Sequence, residues 1–192
     1  LIDGTPAGES IALSYFVTQP HPPTIDALLR AYGRGVHVRV VLDSGDGQKA
    51  KKNAAVDASY ARLAEILGTA GESFPRQCNR SCITDAPDSI NHNKFAVFSR
   101  TQQAQYVTFQ GTGNLRADGS GDSAYNAAVI LRGDEITYWQ YWGYFEDLAS
   151  ELRVDKDNYD GFRRPVTSGP VTAHFFPRTD KSDTLSGALR TT

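Results

Sequence analysis

His92 and Lys94 stand two residues apart in Asn91-His92-Asn93-Lys94, at the head of the apolar run 95–98. In extended backbone, residues i and i+2 share a face, so this spacing presents an imidazole and an ammonium together. A second apolar run, 106–109, leads into Gly111-Thr112-Gly113-Asn114 and delivers a carboxamide through a glycine-rich turn. A nucleophile, a fixed cation and an amide donor are the equipment for attack on a phosphate diester. Lys94 would hold a phosphate oxygen, and its charge would lower the imidazole pKa so that His92 stays neutral and nucleophilic. Asn114 would donate to the oxygens on which charge develops. Gly111 and Gly113 would let the backbone turn closely beside the substrate. This chemistry calls for no metal and no cofactor.

Several elements must position these groups. Residues 10–17 form a short apolar run that predicts a buried strand. Ile25, Leu28, Leu29 and Tyr32 recur at helical spacing, with Thr24 as the expected N-cap and Gly33 and Gly35 ending the helix. The β-branched stretch 36–42 predicts a second strand with Asp43 at its carboxyl end. Strand, helix and strand in that order imply parallel neighbours joined by a right-handed crossover. Asp43, at a strand's carboxyl end, is a candidate acid or a cap for the following loop. A further helix is expected at 54–67, an irregular stretch at 68–88, a hairpin from 94–98 and 106–109, and a strand at 127–131. The aromatic-rich stretch 134–152 predicts a long helix buried on more than one side, with core packing as the role of its aromatics. Asp118 and Asp122 flank Gly119-Ser120-Gly121, a candidate loop over the site, and plain solvated loop residues are the favoured role for both.

The polar stretch 154–170 reads as a linker between a domain at 1–153 and the start of a second unit at 171–192. That second unit would open with a strand at 171–176, and a helix would follow at 183–189.

The chain has 192 residues, 40% hydrophobic and 22% charged, which is the composition of a folded globular domain. Its net charge of −2 offers no strong positive field for nucleic acid or an anionic membrane. No apolar run approaches the roughly 20 residues that span a bilayer. The two cysteines, Cys78 and Cys82, lie in Cys-Asn-Arg-Ser-Cys. No further ligands at suitable spacing make them a metal site. A short-loop disulfide fits them and would suit an oxidising compartment, secreted or periplasmic; two free thiols are the alternative.

The spacing His92-Asn93-Lys94 followed by Gly111-Thr112-Gly113-Asn114 resembles the phospholipase D superfamily. Its signature is His-x-Lys-x(4)-Asp, then Gly-Ser/Gly-x-Asn. The strand-helix-strand with Arg34-Gly35-Val36 and Leu42-Asp43 looks like the amino-terminal half of that fold, and Phe175-Phe176-Pro177-Arg178 looks like the opening of its second half. The resemblance implies an α/β fold, a central mixed β-sheet flanked by helices on both faces. It implies metal-independent phosphodiester hydrolysis, or transfer of a phosphatidyl group, through a phosphohistidine. Ser99 stands where the signature has its aspartate, whose role in the family is to support the active-site network; a serine can hydrogen-bond there but brings no charge. Asn126 falls where many relatives carry Asn or Glu, and is assigned to orient the triad or to cap a turn.

The family pairs two motifs. One histidine attacks phosphorus and the other protonates the leaving group, then activates water or an alcohol. This chain has one motif: His21, His37 and His174 lack the lysine two residues on. The second motif is expected from an absent carboxy-terminal half or from a second copy about a twofold axis. The expected substrate is a phosphodiester, first a phospholipid. The alternatives are a nuclease using the same chemistry on nucleic acid and an inactive module that binds phosphate or lipid.

Overall fold

The computed structural model describes residues 1–16, 22–44, 54–78, 80–84, 86, 89–115, 125–152, 159 and 163–176. The strands are β1 (Ser10–Tyr15), β2 (His37–Asp43), β3 (Phe74–Cys78), β4 (Lys94–Thr101), β5 (Ala104–Gly111) and β6 (Ala128–Leu131). The helices are α1 (Pro22–Gly33), α2 (Ala54–Leu67) and α3 (Glu135–Ala149), and a short hairpin of β7 (Val166–Ser168) and β8 (Val171–Ala173) follows. His21, the 118–122 loop and the 183–189 helix expectation lie outside the described residues.

The main sheet has the order β3-β2-β1-β4-β5-β6. β1, β2 and β3 run parallel, while β4, β5 and β6 are antiparallel to their neighbours. It is the mixed sheet expected, with helices on both faces. Alternation along the strands divides the core. Ile11, Leu13, Val38, Val40, Leu42, Ala96 and Phe98 face α1 and α2, where they meet Ile25, Leu28 and Leu63. Ala12, Val41, Phe95 and Val97 face α3 and meet Tyr138, Tyr144, Phe145 and Leu148. Most aromatics of α3 are therefore core residues, covered by the sheet and also by Ala173 and Phe175, as expected of a helix buried on more than one side, although Trp139 is 51% exposed. Asp134 caps α3, its carboxylate accepting the N–H of Thr137 at 3.1 Å.

Three expectations need correction. α1 begins at Pro22, so Thr24 sits inside its first turn and is not the N-cap. Proline is tolerated in a first helical turn because those N–H groups have no helical partner, and this lets the helix start earlier than the Ser/Thr signal. The stretch 68–88 contains β3, a short edge strand; Pro75 masks it in the sequence and is compatible with an edge position. Val166–Ser168, inside the expected linker, pairs with Val171–Ala173. This hairpin lies on α3, and Ala173 and Phe175 join the core there.

The β4–β5 hairpin is closed by Gln102-Gln103, both left-handed (φ 48° and 69°). That is the geometry of a two-residue primed turn, and it fixes the register Thr101↔Ala104 through Phe95↔Gln110.

Candidate active site

The sheet order brings the carboxyl ends of β1, β2 and β5 and the amino end of β4 to one edge. Lys94 is the register partner of Tyr15 in β1. Across β5, Phe95 pairs with Gln110, so Lys94 lies beside Gly111. A Cβ built on Gly111 would stand in ordinary contact, 3.7 Å, with the Lys94 carbonyl and crowd the Phe109 ring at 3.2 Å. Asn114 follows three residues later on the same edge, and its Oδ1 is buried with no hydrogen-bond partner among the described residues.

Lys94 is 4% exposed. Its ammonium donates to the His92 carbonyl at 3.0 Å and stands 5.3 Å from the Phe16 ring centroid. Burial lowers its pKa to about 8. The His92 ring lies 4.7 Å from the same Phe16 ring, and the residue as a whole stays exposed. Partial desolvation, then the Lys94 charge, hold the imidazole below its ordinary 6.5. Near neutral pH the pair is thus a free imidazole beside a charged ammonium.

The residues on either side of His92 are pinned. Asn91 N–H donates to Asp43 Oδ2 at 2.6 Å, and its carboxamide donates to Ser14 Oγ at 3.1 Å and to Cys78 Sγ at 3.4 Å. Asn93 donates to Asn91 Oδ1 at 2.6 Å and to the Tyr144 hydroxyl at 3.0 Å. Its carbonyl accepts the N–H of Phe16 at 2.9 Å. Asn91 and Asp43 are both buried. Cys78 and Cys82 form the expected disulfide, with Cα atoms 4.7 Å apart.

The family described as "cardiolipin synthase, PLD-like domain" matches residues 5–149. The chain belongs to the phospholipase D superfamily. This family covers phosphodiesterase and phosphotransferase chemistry, and its domains typically work as dimers or as two-motif pairs. Among solved structures the PLD-like chain is similar to a polyphosphate kinase from Porphyromonas gingivalis, at 14% identity and a TM-score of 0.49, over 72% of this chain and 21% of that one. The chain thus spans about a fifth of that enzyme. No curated protein matches it.

Within the PLD-like domain, Asn126 lies against the glycine turn. Thr112 Oγ1 donates to Asn126 Oδ1 at 3.2 Å, and a Cβ on Gly113 would come within 3.2 Å of the Asn126 Cγ. Ser99 is not in this cluster. It is five residues along β4 from Lys94, roughly 17 Å away. There it accepts the N–H of Ser10 at 2.8 Å and donates to the Glu9 carboxylate at 2.6 Å. Glu9 therefore brings a carboxylate to the Ser99 position. His37 pairs with Glu72 at 3.1 Å, away from the site edge. His174 lines a cavity on the α3 face together with Asn93 and Gln110.

The sequence reading did not find Asn91, Asn93, Ser14 and Tyr144. The one available signal was the asparagine on each side of His92, an unusual density of short amides at a strand start. Among the described residues, no group of three His, Cys, Asp or Glu side chains could hold a metal ion.

Proposed function

We propose that this chain supplies one half of a metal-independent phosphodiesterase active site. The observation that carries the reading is the joint placement of His92 and Lys94 against Phe16, beside the Gly111–Asn114 turn. His92 attacks phosphorus as nucleophile, or serves as the acid/base of the pair. When it attacks, an N–P bond forms and the P–O bond to the leaving alcohol breaks. The second histidine, from a second motif or a second copy of the chain, gives the leaving oxygen its proton. Water or an alcohol then cleaves the phosphohistidine, producing a monoester or a new diester. Lys94 binds a nonbridging oxygen as a fixed cation, Asn114 donates to the same oxygens, and Asn126 holds the turn that carries Asn114.

The substrate we favour is a phospholipid, with transfer or hydrolysis of its phosphatidyl group. The net charge of −2 weighs against a nuclease, which ordinarily carries a basic footprint. The Cys78–Cys82 disulfide supports a secreted or periplasmic location.

The test is to quench a reaction on a diester labelled with ³²P and look for acid-labile, base-stable label on His92. His92→Ala must abolish it. Absence of label in the chain paired with its second motif would favour the inactive binding module. Tight DNA binding with a steep salt dependence would favour the nuclease.

A further inference from the structure

Asn91 and Asn93 close a clamp around the backbone of His92. Asn91 Oδ1 accepts the Asn93 backbone N–H at 3.3 Å and one N–H of the Asn93 carboxamide at 2.6 Å. The second N–H of that carboxamide donates to the Tyr144 hydroxyl at 3.0 Å. Burial pushes the Tyr144 pKa up to about 12, so the hydroxyl keeps its own proton and donates it onward. Asn93 Oδ1 at 3.3 Å and the Phe176 carbonyl at 3.4 Å are the acceptors in reach. Tyr144 thus stands between the motif at the head of β4 and the segment that follows β8.

That segment is seated on the Tyr144 ring. Phe175 is buried, and its ring lies 4.6 Å from that of Tyr144 and 5.1 Å from that of Tyr141, while Phe176 faces out. The Tyr144 ring also meets Phe95 of β4 at 5.7 Å, so close-packed neighbours on two sides set where its hydroxyl lies. A buried polar network whose members all have partners is rigid, and loss of one member is felt by the rest. We propose that Tyr144 is a positioning residue, through which the seating of residues 173–176 on α3 fixes the backbone of His92. The inference rests on the proposed phosphodiester reading for what His92 does. It adds a control on that site: the segment expected to open the second unit also orders the first motif.

The test reads the His92 ring by NMR in the full chain, its signals identified by their loss in His92→Ala. Tyr144→Phe keeps the ring packing and removes only the hydroxyl, and it should shift the His92 signals. In the chain paired with its second motif it should lower kcat about 10- to 100-fold and hold KM within about twofold, since a 1 Å misplacement of a reacting group can cost about a hundredfold. Phe175→Ala should shift the same signals and should add nothing in the Tyr144→Phe background. Phe175→Leu is the milder variant should Phe175→Ala fail to fold. Tyr138→Phe removes the hydroxyl of another buried tyrosine of α3 and should leave His92 unmoved. Unmoved His92 signals in Tyr144→Phe overturn the proposal. So do additive shifts from positions 144 and 175, or an equal shift from Tyr138→Phe. The NMR arm needs no turnover, which separates this inference from the catalytic reading. Coupled shifts without phosphohistidine in the wild type sink the catalytic reading alone. Phosphohistidine formed at the wild-type rate in Tyr144→Phe, with His92 unmoved, sinks the positioning role alone.

Discussion

The backbone N–H of Asn91 donates to Asp43 Oδ2 at 2.6 Å, tying the residue before His92 to the carboxyl end of β2. Both partners are buried, so the bond is shielded from water. Asp43→Ala would leave a buried N–H unsatisfied. The expected cost is about 1–3 kcal/mol of unfolding free energy, read by urea denaturation. Turnover of a diester by the chain paired with its second motif should fall as well, because His92 loses its anchor. Unchanged stability would mean that water or a neighbour replaces the carboxylate at no cost.

Lys94 is a cation whose folded pKa, about 8, lies below its ordinary 10.5 because it is buried. A base depressed in this way binds fewer protons folded than unfolded between those two values. Stability contributed through Lys94 should therefore rise as pH increases from about 8 to 10.5, by up to about 3 kcal/mol. Lys94→Met should remove that rise and raise the melting temperature at pH 7, while abolishing phosphoryl transfer. Activity should run the other way: it should decline above pH about 8 as the ammonium is lost. The acid limb should fall below pH 6.5, since His92 is held under that value. Melts and rates across pH 5–11 check both limbs. An alkaline limb that persists in Lys94→Arg at the same pH would assign it to another group.

The His-x-Lys spacing and most of the individual strands were legible because they are local. His92 and Lys94 are two residues apart, and strand alternation decides which way they face. The α3 aromatics likewise read correctly as core at Tyr138, Tyr144 and Phe145. β3 was not legible, because Pro75 within five residues erases the strand signal and only pairing with β2 restores it. Nor was the network around His92. Asp43 meets Asn91 across 48 residues and Asn93 meets Tyr144 across 51, and no periodicity encodes such pairs. Ser99 shows the limit of a motif. Its place in the signature suggested the site, while strand geometry carries it to the far end of β4, where Glu9 meets it.

Reducing the disulfide should be felt at the site. The Cys78–Cys82 link closes a very short loop, for which chain entropy gives about 2 kcal/mol. Cys78 Sγ also accepts from Asn91 Nδ2 at 3.4 Å. Cys78→Ser with Cys82→Ser should lower stability by that order and shift the His92 imidazole resonances in an NMR spectrum. A loss of stability with no change at His92 would confine the disulfide to a structural part.

Gly113 faces the carboxamide of Asn126. A methyl at Gly113 would stand 3.2 Å from Asn126 Cγ and 3.4 Å from its Oδ1, so one side must yield by a few tenths of an ångström. Asn126 is held from the other side by Thr112 Oγ1 at 3.2 Å, and Thr112 itself accepts the N–H of Ala127 at 2.9 Å. Gly113 lies between Thr112 and Asn114, so a shift there displaces Asn114. Gly113→Ala should therefore cost about 1–3 kcal/mol in stability or transition-state binding. Asn126→Gly opens space beside the new methyl, so adding it to Gly113→Ala should return part of that loss. The coupling between the two sites, from a double-mutant cycle in melts and in rates, should be at least about 0.5 kcal/mol. Strict additivity would mean that Asn126 does not press on the turn, and its assignment as the residue that holds Asn114 in place would be lost.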